Sequence, residues 1–387
     1  MTESEFLSLA LSKYESIKSL NGSATFYEHE KDFDDIWTTL GKDVLAASVS
    51  DKEGPKRKKS LMTRYGTIEI SKGHRYFSGS GNRQSPYLQE LSVYFGQFTC
   101  YASAEEIFSK VLRIAIRDST IFRQTNQVGQ HGEVSMPEDF LRTAQDSVAY
   151  GMVDGWMILT REPGWKEVKV GRIFLEGHHG QVSKDRNGIG HSIYRARLGG
   201  HKDFEEHFST LLDPLVRKVK TFIFISDGAR WIRDYISDFY PQAIQIIDFY
   251  HVKEHIAKFA KISKIEANKR TGWIEDISKL LLDSDLESVT AQLNQVQVAK
   301  KAYGKKVSLL NYLTGNAYRM DYKYYRSQGW LIGSGPIEAA QRTVVQQRLK
   351  LSGQRWTIKN AQNVLNLRAS NLSNQCKTVI QVCKNAA

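Results

Sequence analysis

Cysteine is scarce in this chain, and long apolar runs are missing. Three of its 387 residues are cysteine, Cys100, Cys376 and Cys383, and no two of them form a C-x-x-C pair. This spacing supplies neither a disulfide framework nor a zinc site, and it fits a reducing, cytoplasmic setting. No stretch approaches the ~18 consecutive apolar residues of a membrane-spanning helix. The first residues also lack the basic start and apolar core of a signal peptide.

Acidic residues are too few to balance the basic ones. The chain has 54 Lys and Arg against 42 Asp and Glu, which gives a net charge of +12. Such an excess usually marks a polyanionic partner, because each neutralised phosphate releases condensed counterions. An anionic membrane would be the rival partner, but no spanning segment accompanies the charge. We therefore expect binding to double-stranded DNA and no membrane association.

The N-terminal third is predicted to be mainly helical. The length allows two or three domains of roughly 100 to 200 residues each. Residues 1–64 form a first region, with helices near 5–20 and 32–46 and a basic arm at 52–64. The arm is either a solvated linker or a contact to phosphates. Residues 65–140 are predicted to form a β-hairpin followed by a helix-turn-helix DNA-binding region.

The helix-turn-helix prediction depends on two helices separated at Asp118-Ser119. The second helix carries side chains that can hydrogen-bond to base edges, namely Arg123, Gln124 and Asn126. Any helical hairpin could produce a similar pattern. The basic charge of the chain favours the DNA-binding interpretation.

From residue 141 onwards the pattern is that of an α/β domain. Three strands come in series and are followed by alternating helices and strands, which is typical of a mixed sheet. The predicted strands are Val148–Leu159, Glu167–Glu176, Ile193–Leu198, Thr221–Ile225 and Ile244–Asp248. Residues 253–329 are predicted to be an all-α insertion. The α/β domain then comprises residues 141–252 and 330–372, and residues 373–387 form a tail.

Three carboxylates stand in distinctive settings within this domain. Asp154 interrupts an apolar strand, Asp227 ends another, and Glu338 lies in the first turn of a late helix. This order of acids is how an RNase H-like fold gathers ligands around divalent metal. Each acid also has a simpler explanation: a turn for Asp154, a helix N-cap for Asp227, and a favourable helix-dipole position for Glu338. The three acids together, in this order, favour a functional interpretation over these separate structural explanations.

The chemistry that three such acids serve is phosphodiester cleavage. Two Mg²⁺ ions roughly 3.5–4 Å apart activate the attacking oxygen and neutralise charge on the leaving oxygen. Mg²⁺ is a hard cation that binds carboxylate oxygens and keeps waters and substrate phosphates as its other ligands. We therefore expect two Mg²⁺ ions, replaceable by Mn²⁺, held by Asp154, Asp227 and Glu338.

Further polar residues surround these acids in the sequence. Asp248 and His251 follow a strand end, and we interpret them as supporting the site and not as zinc ligands. The segment after Glu338 is rich in cations, which are either a solvated face or contacts to DNA. Its candidate DNA contacts are Arg342, Arg348, Lys350, Arg355 and Trp356. The indole of Trp356 either stacks on an unpaired base or fills the core.

These motifs together resemble bacterial insertion-sequence transposases of the DDE class, of the ISKra type related to the Mutator-like superfamily. The resemblance runs from about Pro86 to Arg368. It is carried by Asp154-Gly155, EVKVG, SDGARWI, IIDFYH and, most specifically, IGSGPIEAAQRTVVQQRLKLSGQRW. Many relatives have paired cysteines for zinc in the N-terminal hairpin. The corresponding segment here, 65–84, has none, so the resemblance does not extend to a zinc module.

The resemblance implies a specific activity. Asp154, Asp227 and Glu338 would be the catalytic and metal-binding triad, with Asp248 and His251 close by. The protein would bind the terminal inverted repeats of its element through residues 1–140, cut a strand and join it to target DNA. Synapsis of two ends implies a homodimer or a higher oligomer. Two alternatives stay open: an RNase H-like nuclease without strand transfer, and a non-catalytic helix-turn-helix regulator.

Overall fold

The chain folds into two compact units. A computed structural model describes residues 1–23, 25–50, 58–71, 83–162, 164–183 and 186–385. The first unit comprises Met1–Gly132 with Gln375–Ala387, and the second comprises Glu133–Asn374. The predicted boundary near residue 140 therefore lies eight residues too late. The predicted C-terminal tail belongs to the first unit and is largely helical.

The first unit begins with two helices joined by a short 3₁₀ turn. They are α1, Glu3–Ser19, and α2, Phe26–Ser48, and each starts with a reciprocal capping box. In such a box the N-cap hydroxyl accepts a backbone N–H while the glutamate three residues later accepts the N-cap N–H. The pairs are Thr2 with Glu5 and Thr25 with Glu28. Both helices were predicted, but α2 begins six residues before its predicted start at residue 32.

A β-hairpin follows, displaced from its predicted position. Strands β1, Lys58–Thr63, and β2, Gly66–Ser71, pair in antiparallel fashion. The turn therefore falls at residues 64–65, and the first strand takes up half of the predicted basic arm. Part of the predicted hairpin segment, 72–82, and the start of the arm at 52–57 lie outside the described residues.

Four helices complete the first unit around a small apolar core. They are α3, Pro86–Phe98; α4, Tyr101–Val111; α5, Asp118–Gly129; and α17, Cys376–Asn385. Leu88, Phe108 and Ile121 are fully buried between them. The helix α17 packs against α3 and α5.

The second unit is built on a mixed sheet, as predicted. Its strands in chain order are β3, Val148–Leu159; β4, Trp165–Leu175; β7, Ile193–Leu198; β8, Thr221–Ser226; and β9, Ile244–Ile247. Their spatial order is β7-β4-β3-β8-β9, with β4 antiparallel to β3 and β7, and β8 parallel to β3 and β9. A separate short hairpin, β5, His179–Ser183, and β6, Arg186–Ile189, was not predicted.

Helices cover this sheet and bury its apolar strands. Before and between the strands lie α6, Glu138–Ala144; α7, His201–Val216; and α8, Arg230–Phe239. After β9 come α9, Phe249–Ile262; α10, Arg270–Leu282; α11, Leu286–Gln295; α12, Tyr303–Gly315; and α13, Tyr322–Ser327. The predicted insertion is thus helical throughout its regular elements. Within the described ranges, no helix combines the length and the apolarity needed to span a bilayer.

The last part of the second unit returns to the sheet. It comprises α14, Gly335–Ala340; a π-helical segment, Gln341–Gln346; α15, Gln347–Leu349; and α16, Ile358–Leu372. The first of these contacts β3 and β4, and α16 packs on β7. A single turn of π-helix adds a residue to the helical repeat and is frequent near functional sites. Glu338 lies on α14, the helix that contacts β3 and β4.

Candidate functional site

Asp154 and Asp227 come from neighbouring parallel strands. The pairing of β3 with β8 ends with Met152 opposite Ile225. Each aspartate lies two residues beyond its member of that pair, so both stand at the same level of the sheet. Adjacent strands are about 4.8 Å apart. The strand pattern alone therefore brings two of the three predicted acids side by side.

The turn after Asp227 fixes its carboxylate. Oδ1 of Asp227 accepts the backbone N–H of Ala229 at 2.9 Å. Between them Gly228 has φ +94°, and a Cβ there would meet Ile247 at 2.9 Å and Tyr312 at 3.1 Å. Any other residue would be strained in that conformation and would clash. The hydroxyl of Tyr312 also donates to the carbonyl oxygen of Asp227 at 3.2 Å.

The helix that carries Glu338 is anchored at its first turn by a buried arginine. Arg172, on β4, donates to the carbonyl oxygen of Pro336 at 2.7 Å and to the hydroxyl of Ser192 at 3.0 Å. Its guanidinium also lies between the rings of Phe174 and Tyr194. Only 7% of Arg172 is exposed. The arginine therefore joins the sheet to the start of α14.

Asp248 provides a second anchor for the same helix. It is the N-cap of α9, where Oδ1 accepts the N–H of Tyr250 at 2.7 Å. Its Oδ2 accepts the hydroxyl of Ser334, the residue that precedes α14. The next residue, Phe249, donates its N–H to the carbonyl oxygen of Ile332 at 2.9 Å. Asp248 is 3% exposed, so it acts on the site by holding residues 332–334 and not by facing a ligand.

Gln341 is a third anchor, which was not predicted from the sequence. Its Nε2 donates to the carbonyl oxygen of Asp154 at 2.6 Å, and the side chain is 1% exposed. The bond ties the π-helical segment directly to the strand that carries the first acid. The available signal was its position three residues after Glu338, which is one helical turn on the same face.

The three predicted acids line one cavity of about 470 Å³. Its other walls are residues of β3, α9, α14 and the π-helical segment. The complete lining is Val153, Asp154, Gly155, Trp156, Asp227, His251, Ser334, Ile337, Glu338, Gln341, Arg342 and Gln346. Glu338 is exposed, whereas Asp154 and Asp227 are half-buried. The fold thus gathers acids that are 184 residues apart in the chain, from Asp154 to Glu338.

The cavity makes Asp154 a weak acid. The pKa of Asp154 is raised from 3.8 to about 6, mainly by burial and to a smaller extent by the negative charges of Asp227, Glu338 and Glu167. The N–H of Gly155, which donates to Oδ1 at 2.7 Å, lowers the pKa in part. Neighbouring carboxylates favour binding of a proton or a metal ion, because either one relieves their mutual repulsion. Asp154 therefore binds a proton or a cation more readily than an ordinary aspartate does.

The three carboxylates are suitable ligands for Mg²⁺, but they lie too far apart to bind one ion together. Three carboxylates facing one water-accessible cavity are the ligands that hard divalent cations prefer. Among the described residues, however, no three His, Cys, Asp or Glu side chains stand close enough together to hold an ion. The acids surround the cavity without closing on a common point. Binding of a cation would have to draw them inwards.

A pair of histidines borders the cavity beside Asp227. His251 lines it, and its Nε2 lies 3.1 Å from Nε2 of His255. Burial, the neighbouring His251 and Lys258 lower the pKa of His255. The ring of His255 packs on Tyr312, with ring centroids 4.9 Å apart. Tyr312 thus links this pair to the backbone of Asp227, and the pair supports the wall of the cavity.

Two of the predicted DNA contacts on the late helical segment are buried. Arg348 is 1% exposed and Trp356 is 6% exposed. The guanidinium of Arg348 lies 4.8 Å from the centre of the Trp356 ring, and the indole N–H donates to the carbonyl oxygen of Leu349 at 3.2 Å. The prediction that they contact DNA is therefore wrong for this structure: they hold the loop after α15 in the core. Arg342, Lys350 and Arg355 are exposed, as a contact to DNA requires.

The predicted DNA contacts on α5, in the first unit, also include both exposed and buried residues. Arg123 is exposed, but Gln124 and Asn126 are 3% and 8% exposed. Gln124 bonds to Gln84, and Nδ2 of Asn126 donates to the carbonyl oxygen of Phe122 at 2.8 Å. Both amides lie on the face that packs inside the unit. The prediction that these two residues touch bases is wrong for this structure, whereas Arg123 remains available.

Two residues near the acids were missed because their sequence setting is ordinary. Trp156 lines the cavity and lies under the ammonium of Lys350, 4.5 Å from the ring centre. Glu167, on β4, sits against Gly155 and is bonded to the buried Lys169 at 2.5 Å. A Cβ on Gly155 would meet the carboxylate of Glu167, which would have to move aside. Glu167 is thereby a fourth negative charge beside the cavity.

Sequence comparisons supply no relative for this arrangement: the chain matches no protein-family model, and it has no significant similarity to any curated protein.

Proposed function

We propose that this protein is a DNA transposase of the DDE class, which cleaves and joins DNA strands with the help of divalent metal. The observation that carries the proposal is the single cavity lined by Asp154, Asp227 and Glu338. These acids come from a central strand, the end of its parallel neighbour and a late helix. The order of the sheet, with three antiparallel strands extended by two parallel ones, supports an RNase H-like fold.

In this proposal the three acids hold two Mg²⁺ ions in the cavity. The ions would supply an activated oxygen nucleophile and neutralise charge on the scissile phosphate. Asp154 and Asp227 provide fixed oxygen ligands from the sheet, and the exposed Glu338 provides one that can move inwards. Gln341, Asp248 and Arg172 keep the segment with Glu338 facing the sheet. The His251–His255 pair shapes the wall next to Asp227.

DNA would reach the cavity along exposed cations. Arg342 lines the cavity, and Lys350 and Arg355 lie on the same late segment with their side chains exposed. Such side chains attract phosphates without reading sequence. Recognition of the element ends would fall to the first unit, where α4 and α5 follow one another in the chain and Arg123 faces solvent. Synapsis of two ends would require at least a dimer.

The decisive test is a nicking assay on DNA that carries the ends of the element. Asp227→Asn should reduce nicking by more than roughly 100-fold, because the loss of a direct metal ligand should exceed the ~10- to 100-fold loss typical of removing an outer partner of a ligand. DNA binding should stay within about twofold, since the substitution removes negative charge and touches no exposed cation. The control is Asp238→Asn, an exposed aspartate on α8, which should behave as the wild type. Equal nicking by both variants would refute the proposal.

Two further assays separate the rival functions. Pre-cut ends incubated with Mg²⁺ should yield joined products, whereas a nuclease of the RNase H type would yield none. A non-catalytic regulator would bind DNA equally well in EDTA and would break no strand with Mg²⁺ or Mn²⁺. The cavity lined by three acids favours an enzyme over that regulator, because such acids repel phosphate unless a cation is present.

A further inference from the structure

The hairpin of α1 and α2 presents many large apolar side chains to solvent. None of the residues of α1, all of which are described, is buried, and α2 buries only Leu40. Eight large apolar side chains on the two helices are at least 41% exposed: Phe6, Leu7, Leu11, Tyr14, Phe26, Tyr27, Phe33 and Trp37. Leu7, Leu11 and Tyr14 recur at helical spacing along α1, and Phe33 and Trp37 recur along α2. Exposed stripes of this kind mark interaction surfaces.

The charge of the hairpin excludes DNA as its occupant. Residues 1–50 contain nine Asp or Glu and four Lys, a net charge of −5 in a chain whose total is +12. A surface of that sign repels phosphates. Residues 1–140 are predicted to bind DNA, and the hairpin is the part of them whose charge argues against DNA binding. An apolar, protein-like partner is required.

The exposed area matches what a stable protein interface needs. With an accessible surface of about 200 Å² for each large side chain, the eight exposed fractions amount to on the order of 900 Å². A standard interface buries about 800 Å² from each partner. The hairpin is also firmly formed, since both helices have capping boxes and Lys13 pairs with Asp43 across them at 3.6 Å. It is therefore a built surface and not a frayed terminus.

We propose that the α1–α2 hairpin is the dimerisation surface of this protein, and that its occupant is the same hairpin of a second copy. Two antiparallel hairpins can associate as a four-helix bundle, which buries the apolar stripes of both. A two-fold interface is self-complementary and needs one surface only. The two hairpins carry like charge, so the contact between them is apolar and works against a modest electrostatic repulsion.

This arrangement predicts an unusual response to salt. Salt screens the repulsion between two negative hairpins while leaving apolar burial intact. The dimer should therefore become tighter between 0.1 and 0.5 M NaCl, in contrast to any complex held by opposite charges. Sedimentation equilibrium of the full chain, without DNA and without metal, measures this directly.

The double variant Leu11→Ser with Trp37→Ser tests the surface. Its dimer should be at least tenfold weaker than that of the wild type, with an unchanged circular dichroism spectrum, because both side chains are exposed within one chain. The matched control is Phe239→Ser with Tyr303→Ser, two exposed aromatic residues of the second unit, which should dimerise as the wild type does.

Several outcomes would overturn the proposal. They are a wild-type chain that stays monomeric at tens of micromolar concentration, a dimer that the double variant leaves intact, and a dimer that salt weakens. The last would indicate association between surfaces of opposite charge. Each result is independent of the nicking assay, so a failed dimer and a failed enzyme remain distinguishable.

Discussion

The three acids of the candidate site are held by two different means. Asp154 and Asp227 are fixed by backbone pairing, since both follow from the register of two parallel strands. Glu338 lies on a helix whose position depends on three side-chain bonds, made by Arg172, Asp248 and Gln341. A strand register is specified by a local apolar pattern. A side-chain hydrogen bond between residues more than 80 positions apart is not specified by any local pattern.

This difference teaches where the site is rigid and where it can adjust. The sheet side offers two preset ligands, and the helical side can be loosened one bond at a time. Substitutions on the helical side should therefore lower activity through position, while leaving the aspartates in place.

Removal of the Asp248 carboxylate should do the most damage. Asp248→Ala leaves Ser334 and the N–H of Tyr250 without their partner in a buried place, which should cost about 3 kcal/mol of unfolding free energy. Denaturant unfolding measures the loss, and nicking should fall with it. The control is Asp238→Ala, on the exposed surface of α8, with an expected change below about 0.5 kcal/mol. A loss below 1 kcal/mol for Asp248→Ala would show that α14 is held in another way.

Neutralisation of Asp154 should act in the opposite direction on stability. Its pKa rises from 3.8 to about 6 on folding, so the charged form costs the folded state free energy. Below pH 3.8 the group is protonated in both states, and no cost exists. The cost grows between pH 3.8 and 6 and is complete above pH 6. Asp154→Asn should therefore stabilise the metal-free protein at pH 7.5 by up to about 3 kcal/mol, since one pKa unit is ~1.4 kcal/mol.

The pH dependence supplies the control for this prediction. Unfolding of the wild type and of Asp154→Asn should be compared at pH 3.5 and 7.5, and the stabilising difference should vanish at the lower pH. Mg²⁺ should raise the unfolding temperature of the wild type and much less that of the variant. A variant less stable than the wild type at pH 7.5 would mean that the carboxylate has a neutralising partner in solution.

Arg342 and Arg348 offer a matched pair of arginines on one segment. Arg348→Ala removes a buried guanidinium that packs on Trp356, and should cost about 2 kcal/mol. Arg342→Ala should change stability by less than about 0.5 kcal/mol. It should weaken DNA binding instead and lower the slope of log affinity against log salt by about one unit. Filter binding across a salt series distinguishes the two, and a reversed pattern would disprove the assignment.

The smallest effect is expected for Gln341. Gln341→Leu keeps the volume of the side chain but loses the bond to the carbonyl oxygen of Asp154, worth about 1 kcal/mol. Nicking should fall severalfold with little change in the concentration of DNA needed for half-saturation, because Glu338 shifts while the cations stay. Unchanged nicking would indicate that α14 is positioned by Arg172 and Asp248 alone.

Much of the sheet side was predictable from the sequence. The limits of β3 and β7 agree with prediction, because short segments rich in β-branched, aromatic and other apolar residues and bounded by polar turns define strands. Asp154 and Asp227 stood out because a charged residue in or after such a strand requires an explanation. The helical side was predictable only in part: Glu338 was identified, whereas the anchors Arg172 and Gln341 were not.

The errors share one physical cause. Gln124, Asn126, Arg348 and Trp356 were judged by chemical type, and their side chains face inwards. In α5 the apolar residues Ile121 and Val128 define an inner face, and helical spacing places Gln124 on it, at i+3 from Ile121 and i−4 from Val128. Arg348 next to buried Leu349 gave no comparable warning, because a turn of π-helix precedes it and shifts the repeat. Local chemistry alone does not identify the exposed face.

The parallel alignment of β3 and β8 also limits how this protein can change. One residue inserted into either strand would shift its pairing by about 3.3 Å and would turn the following side chains to the opposite face of the sheet. One aspartate would then point away from the cavity, even though every residue around it was unchanged. Length changes are tolerable in the surface loops between these strands, but each strand must keep its number of residues.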